Sequence, residues 1–390
     1  MYQMIVFMFV LLVDLSKRRE IFVTKKIIFV DRLGAHSIWN VLDPVANRLI
    51  KQGYDVCYCR MDDGKQRDPL TQPKHVKTVD ITVPFAKTPF HFIIQQIIWF
   101  YYFSAFIIKY KPNLTHTNFV IPGAVSRFAC KLFRKGKVVS TRHELQSSMN
   151  NLLQLLDNKT SKHIDHSVYI SQVVADSYTL NRCEGSIIHN GIDNFFLEGF
   201  IKPEDKKNNH HIVCVGRILP VKGQSLLLRS IPTVLSKFPN ASLTLVGSGS
   251  DEGEILQTAN ELGITDKVKI TGWVSREYAC DIVSSAGTIV IPSDGTQEGF
   301  GLIVAEALAL EVPIVCSDID VFKEVAGDTA MMFKAGDSDL LASAIINVFD
   351  HHQDARERCI LGKQRALDKF SVEGMIEGYL SVYNRLLFRK

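Results

Sequence analysis

The feature that most constrains the fold is a repeated rhythm: a short apolar run, a turn, then a stretch with helical spacing. Residues 26–30 form one such run, and residues 31–36 the loop after it. Residues 39–52 read as a helix, because Val41, Leu42, Val45, Leu49 and Ile50 recur near helical spacing. Gly53 suits the end of that helix, where a left-handed residue closes the last turn. Residues 54–59 are the next strand. A strand–helix–strand order implies a parallel sheet with crossover helices. Strands at 113–117, 137–141, 167–170 and 186–189 continue the series, with helices at 122–133 and near 171–180. The most hydrophobic stretch, 90–108, has the length of a membrane span. Gln95, Gln96 and Ser104 interrupt it, so it reads as a crossover helix that is buried or touches a membrane.

A second series of the same kind follows residues 202–211, which contain Pro203 and no apolar residue and so read as a linker. Its strands are expected at 212–215, 242–246, 267–271, 288–291 and 313–316. Its helices are expected at 224–237, 251–262, 275–285, 302–310 and 337–349. At 390 residues the chain exceeds the size at which one core stays single, so two domains are expected. The division is an apolar extension over 1–22, a first α/β domain over 23–201, a linker over 202–210, a second α/β domain over 211–370, and a C-terminal helix over 371–390.

In the N-terminal extension an apolar run precedes Lys17, Arg18 and Arg19, the reverse of a secretory signal. It is also too short to span a bilayer comfortably. It reads either as a membrane-surface anchor or as an extension without a role. The net charge of +4 fits an anionic ligand or an anionic membrane surface. No arginine-rich run interleaved with aromatics points to nucleic acid. The eight cysteines form no C-x-x-C pair, which argues against zinc and for a reducing compartment. The histidines at 163, 166, 210 and 211 have no ligand spacing with acids or cysteines, so no metal site is proposed.

Four strand-end turns hold the candidate chemistry. Residues 292–311 begin with Pro292 and Gly295, pass through Gly299-Phe300-Gly301 and enter a run of strong helix formers from Leu302. A glycine-bearing turn before a helix offers backbone N–H groups to an anion. Glu298 and Glu306 bracket this turn, and carboxylates suit hydroxyl groups rather than phosphate. A ligand with both features is a nucleotide sugar. Gly216-Arg217 through Lys222-Gly223 follows another strand and offers two cations to a diphosphate, although a solvated surface loop would look the same. Gly247-Ser248-Gly249 ends a third strand, and it lacks the third glycine of a dinucleotide fingerprint. Gly272-Trp273-Val274 ends a fourth. Trp273 there is either core packing or the wall of a nucleobase pocket whose edge the Val274 backbone reads. Ligands of open α/β sheets bind along the edge that all four turns share. In the first domain His143 ends a strand, where it can donate to an oxygen or carry a proton near neutral pH.

On Gly216, Arg217, Lys222, Gly223, the 247–249 turn, Gly272-Trp273 and the Glu-x7-Glu pair Glu298 and Glu306, the chain resembles a retaining glycosyltransferase of family 4, the group 1 glycosyltransferases. The specific part of the resemblance covers about 187–387. It implies the GT-B fold, two Rossmann-like domains facing across a cleft, with the C-terminal helix returning to the first. It implies a UDP- or GDP-sugar donor, no cofactor and no metal. Arg217 and Lys222 would contact the diphosphate, Glu298 the donor sugar, and Glu306 the ribose hydroxyls. Phe300, Gly301 and Leu302 would complete the donor contacts, joined by Gly34, Gly216, Gly247, Trp273 and Val274. His143 stands as a catalytic candidate. The chain departs from the family pattern in having one glycine, Gly34, in its first loop, and Glu144 where an aspartate is frequent. The implied activity is sugar transfer to a glycan or lipid-linked acceptor in cell-surface polysaccharide or lipopolysaccharide synthesis. The hydrophobic stretch 90–108 and the basic tail suggest a cytoplasmic location, peripheral on the inner face of the plasma membrane. A sugar-nucleotide epimerase or a non-catalytic nucleotide-sugar module are the alternatives. An epimerase would not need the Arg217 and Lys222 pair together with Glu298 and Glu306.

Overall fold

The structure is a computed structural model that describes residues 24–33, 36–64, 76–178, 183–198 and 208–388. The N-terminal extension over 1–22, Gly34 and residues 202–207 of the expected linker lie outside the described residues. The strands are β1 Lys26–Arg32, β2 Asp55–Asp62, β3 Lys77–Thr82, β4 Leu114–Thr117, β5 Lys137–Arg142, β6 His166–Tyr169, β7 Glu184–Ile187, β8 Asn208–Val215, β9 Ser242–Val246, β10 Val268–Ile270, β11 Ala286–Ile291, β12 Ile314–Ser317 and β13 Met331–Phe333. The first-half helices are α1 His36–Lys51, α2 Pro89–Tyr110, α3 Val120–Leu132, α4 Asn151–Thr160, α5 Gln172–Ser177 and α6 Asn194–Glu198. The rest are α7 Gln224–Lys237, α8 Glu252–Glu261, α9 Arg276–Ser284, α10 Leu302–Ala309, α11 Asp320–Ala326, α12 Ser338–Asp350, α13 His352–Lys369 and α14 Val372–Phe388.

Two sheets result, in the orders β3-β2-β1-β4-β5-β6-β7 and β10-β9-β8-β11-β12-β13. Every ladder pairing is parallel. Helices cover both faces, which is why Ile27, Ile28, Phe29 and Val30 are all fully buried in one unbroken apolar run. The strand order reverses between β1 and β4, and again between β8 and β11. At such switch points the loops diverge to opposite faces and leave a crevice at the carboxyl ends of the strands. Both crevices lie on the side where the two sheets meet.

One expected boundary is corrected. Residues 208–210 belong to β8 rather than to a linker. His210 packs against Phe238 at 4.6 Å and His211 bonds the Thr244 hydroxyl at 2.9 Å, so both are structural. The returning C-terminal helix is present. Met375, Ile376, Tyr379, Leu380, Val382 and Tyr383 of α14 pack with Phe29, Leu42 and Val45 of the first domain. Inside that cluster Tyr383 Oη lies 2.6 Å from His116 Nδ1, and Tyr379 Oη 3.2 Å from Thr141 Oγ1. Polar groups that are this deeply buried need such partners. The network ties the last helix to β4 and β5 and so holds the two halves of the chain together.

Candidate active site

Close packing between strand-end loops places the charged groups of the second domain. Gly223 adopts φ +73, and a Cβ there would lie 2.0 Å from the Pro292 carbonyl oxygen. Only glycine permits that approach. The Asp294 N–H donates to Val221 O at 3.0 Å and fastens the same two loops. Their contact brings Lys222 Nζ to 2.5 Å from Glu298 Oε1, and Ser293 Oγ donates to that oxygen at 2.7 Å. Two residues 76 positions apart in sequence thus form one half-buried ion pair at the turn. Gly247 likewise serves loop packing, since a Cβ on it would lie 2.1 Å from Gly216 O. It bridges to Gly272, and Trp273 next in sequence is 69% exposed. Core packing is therefore excluded for this indole.

The turn at Gly299-Phe300-Gly301 forms the seam between the domains. A Cβ on Gly299 would lie 2.2 Å from the carbonyl oxygen of His143. Ser171 Oγ, at the start of α5, donates to Gly299 O at 2.7 Å. Phe300 is buried against His189 and Phe370. Gly301 takes φ +74 and opens α10, and any Cβ there would strike the Phe322 ring. A second clasp lies beside this one. Glu324 of α11 accepts from the N–H groups of Gln172 and Val173 at 2.7 and 3.1 Å, and from His189 Nε2 at 3.0 Å.

Opposite the turn stands His143. Its Nε2 lies 3.3 Å from Asn118 Oδ1, and Asn118 Nδ2 donates to Asp31 Oδ2 at 3.2 Å. An amide oxygen only accepts, so His143 Nε2 is the protonated nitrogen and Nδ1 keeps a free lone pair. Burial lowers the pKa of His143 to about 3. Of the two expected roles, donor to an oxygen or proton carrier near neutral pH, the structure favours the donor: the ring is neutral there, because burial penalises the cation. Asp31 is pushed up to about 8 by burial, against its hydrogen bonds and the nearby Arg32 and Arg60. Glu306 on α10 is raised to about 7, again by burial, while Arg276 pulls it down and Asp193 pushes it up.

A cavity of about 510 Å³ gathers His143, Arg217, Phe300, Gly301 and Leu302, with Glu144 and Gln297. A neighbouring cavity of about 700 Å³ holds Glu298 beside Asp294, Gly295 and Asp318, and shares Ser148 and Gln297 with the first. The sequence candidates therefore meet on adjoining cavities at the seam. Glu306 stands one helical turn behind it. Gly247, Trp273 and Val274 belong to the next strand-end loops. The anchors Asp31, Asn118, Ser171 and Glu324 escaped sequence reading. Asp31 and Asn118 end the two strands that flank a switch point, which was the one available signal.

Two family models match consecutive stretches that take in most of the chain. Glycosyltransferase Family 4 matches residues 39–194, and Glycosyl transferases group 1 matches residues 198–365. The chain belongs to the group 1 glycosyltransferases. It is 30% identical to a phosphatidyl-myo-inositol mannosyltransferase of Mycobacterium leprae over 166 residues, 42% of this chain and 43% of that protein. It is 26% identical to a D-inositol 3-phosphate glycosyltransferase of Mycolicibacterium smegmatis over 250 residues, 60% of this chain and 55% of that protein. The matches thus span about half or less of the length of these relatives. A glycosyltransferase from Rickettsia africae superposes with a TM-score of 0.77 at 17% identity, covering 95% of this chain and all of that one. Anabaena HepE in complex with UDP gives 0.77 at 17%, covering 93% of this chain and all of that one. These likenesses establish the two-domain GT-B fold.

The seam geometry has a direct consequence. Gly299→Ala should force the turn away from His143 and lower turnover of a nucleotide sugar about a hundredfold, the cost of an ångström-scale misplacement. Circular dichroism should show the fold intact. Unchanged turnover would show that the close approach is incidental.

Proposed function

We propose that the protein moves a sugar from a nucleotide-diphosphate donor to an acceptor hydroxyl, with retention of anomeric configuration and without a metal. The observation behind this reading is the convergence of Arg217, Lys222 and Glu298 opposite His143 at one seam. Arg217 offers a planar fork to the diphosphate and Lys222 a point charge. Lys222 is held by Glu298 in the structure. A bound donor would draw Lys222 toward phosphate and free Glu298 to accept sugar hydroxyls. As the bond between the anomeric carbon and the phosphate oxygen breaks, negative charge grows on that oxygen, where both cations stabilise it. The acceptor oxygen bonds to the anomeric carbon from the same face, and its proton passes to the departing phosphate oxygen. His143 takes no proton. Its Nδ1 lone pair accepts a hydrogen bond from a donor-sugar hydroxyl, and Asn118 fixes the ring.

Glu306 would hold the ribose hydroxyls, with Gly216, Gly301 and Leu302 completing the phosphate contacts and Trp273 and Val274 the base contacts. Relatives named for GDP-mannose and for phosphatidylinositol acceptors support a UDP- or GDP-sugar donor and a lipid-linked or glycan acceptor. Such acceptors belong to cell-surface glycolipid, polysaccharide or lipopolysaccharide synthesis, on the cytoplasmic side of a membrane.

Arg217→Ala and Lys222→Ala should each lower donor turnover at least about a hundredfold with the melting temperature preserved, and turnover should persist in excess chelator. Wild-type rates in both variants would overturn the diphosphate assignment, and strict metal dependence would overturn the mechanism. Glu306 gives a pH test. Its carboxyl is raised to about 7, so it is largely neutral at pH 6. Ribose hydroxyls favour the ionised form, so donor binding should release a proton. Affinity for a nucleotide sugar, whose diphosphate does not titrate here, should rise from pH 6 to 8 by up to about tenfold per unit below the pKa. Glu306→Gln should flatten that profile in calorimetric titrations. A slope unchanged in the variant would remove Glu306 from the site.

A further inference from the structure

Helix α2 has two apolar faces, and the fold uses only one. Trp99, Phe103 and Ile107 are fully buried over the first sheet, and Trp99 Nε1 donates to Ser126 Oγ at 3.0 Å. The opposite side carries Phe90, Ile93, Ile97, Tyr101 and Ile108, at helical spacings that align them in one stripe. Phe90, Ile97 and Tyr101 expose 68%, 62% and 68% of their surface. The helix is long and apolar enough to cross a bilayer, yet only 28% of its apolar window is buried within the protein. A helix whose inner face is locked into a sheet cannot cross a membrane. It can lie in one.

The neighbouring helices extend this surface. Phe128 of α3 meets Phe100 of α2 at 6.0 Å and stands 45% exposed, with Leu132 one turn on. Leu152 and Leu155 are exposed on α4, which packs beside α3. Charge is equally one-sided. Residues 84–163 contain eleven Lys and Arg, of which Arg127 and Arg142 are buried, against two carboxylates, Glu144 and Asp157. Neither carboxylate belongs to this outer face: Asp157 is buried between Arg127 and Arg142, and Glu144 lines the cavity beside His143. Lys131, Arg134, Lys137, Lys162 and His163 line a cavity of about 470 Å³ where α3 ends. Its one lining carboxylate, Asp165, is already held by Lys137 at 3.0 Å.

We propose that the outer face of α2, α3 and α4 docks the protein on an anionic lipid bilayer, with α2 lying in the interface plane and the basic cluster at the headgroups. A second copy of this chain fits less well, because a two-fold interface would set the same cationic surface against itself. Exposed apolar area is satisfied by the acyl boundary, and each lysine or arginine near an anionic surface adds electrostatic attraction. Helix α2 runs back from the carboxyl ends of the strands, so Phe90 lies toward the edge that carries the cleft. Docking along α2 therefore holds the cleft beside the lipid surface. The proposal stands on this surface alone, and its test reads binding without any transfer reaction.

Full-length protein should co-sediment with vesicles of phosphatidylcholine and phosphatidylglycerol, and at least about tenfold less with phosphatidylcholine alone. Two double variants at exposed positions probe the two components: Ile97→Glu with Tyr101→Glu, and Lys131→Glu with Lys162→Glu. Each should lower the vesicle-bound fraction about tenfold or more while keeping the melting temperature, and added salt should weaken the wild type. Three results would overturn the proposal. One is vesicle binding that both variants leave unchanged, which would place the contact elsewhere in the chain. Another is equal binding to neutral vesicles. The last is a wild-type dimer that the variants dissociate, with no vesicle binding.

Discussion

The contact between the Gly299 turn and the His143 strand end governs how this molecule is assembled. Each sheet presents its carboxyl edge and its switch point, but a reaction centre needs those edges to meet. Gly299 allows the backbones to approach where any side chain would collide. Ser171 then bonds the Gly299 carbonyl, and Glu324 caps the start of α5 while holding His189. Helix α14 completes the closure from the far side by burying Tyr379 and Tyr383 against β4 and β5. Both clasps and the returning helix tie the two halves of the chain together.

That closure also sets the chemistry. His143 is neutral because it is buried at the seam, and its tautomer follows from an amide held in turn by Asp31. Lys222 and Glu298 neutralise one another. An anion that competes for Lys222 exchanges one partner for another rather than meeting a bare charge, so the site is preorganised without leaving an unpaired half-buried ion. A donor with both phosphate and hydroxyls matches what the exchange releases.

Much of this architecture was legible in the sequence, where burial on both faces writes an apolar run. The expected strand at 288–291 lies within β11, and the expected helix at 302–310 is α10 with one residue fewer. Elements that bury little were missed. Strand β3 is an edge strand with Ile81 its one buried residue, so no run marks it. Helix α13 buries Ala355, Cys359, Gly362 and Ala366, small residues at helical spacing that give no strong apolar periodicity. Within the site, the charged candidates were visible because strand-end glycines flag their loops. The pairing of Lys222 with Glu298 was not, since it depends on Gly223 packing against Pro292 across the fold. Which of its two alternatives His143 follows, donor or proton carrier, was not legible for the same reason: part of what buries it comes from the other domain.

The central claim is that one donor molecule engages both domains across this seam. Hydrogen–deuterium exchange with a saturating nucleotide sugar, chosen by screening a UDP- and GDP-sugar panel, tests it most directly. The account predicts simultaneous protection of the loop after β8 at 216–223, the turn at 298–302, and the first-domain segment at 142–148. Protection confined to one domain would contradict it, as would the absence of protection with every member of the panel.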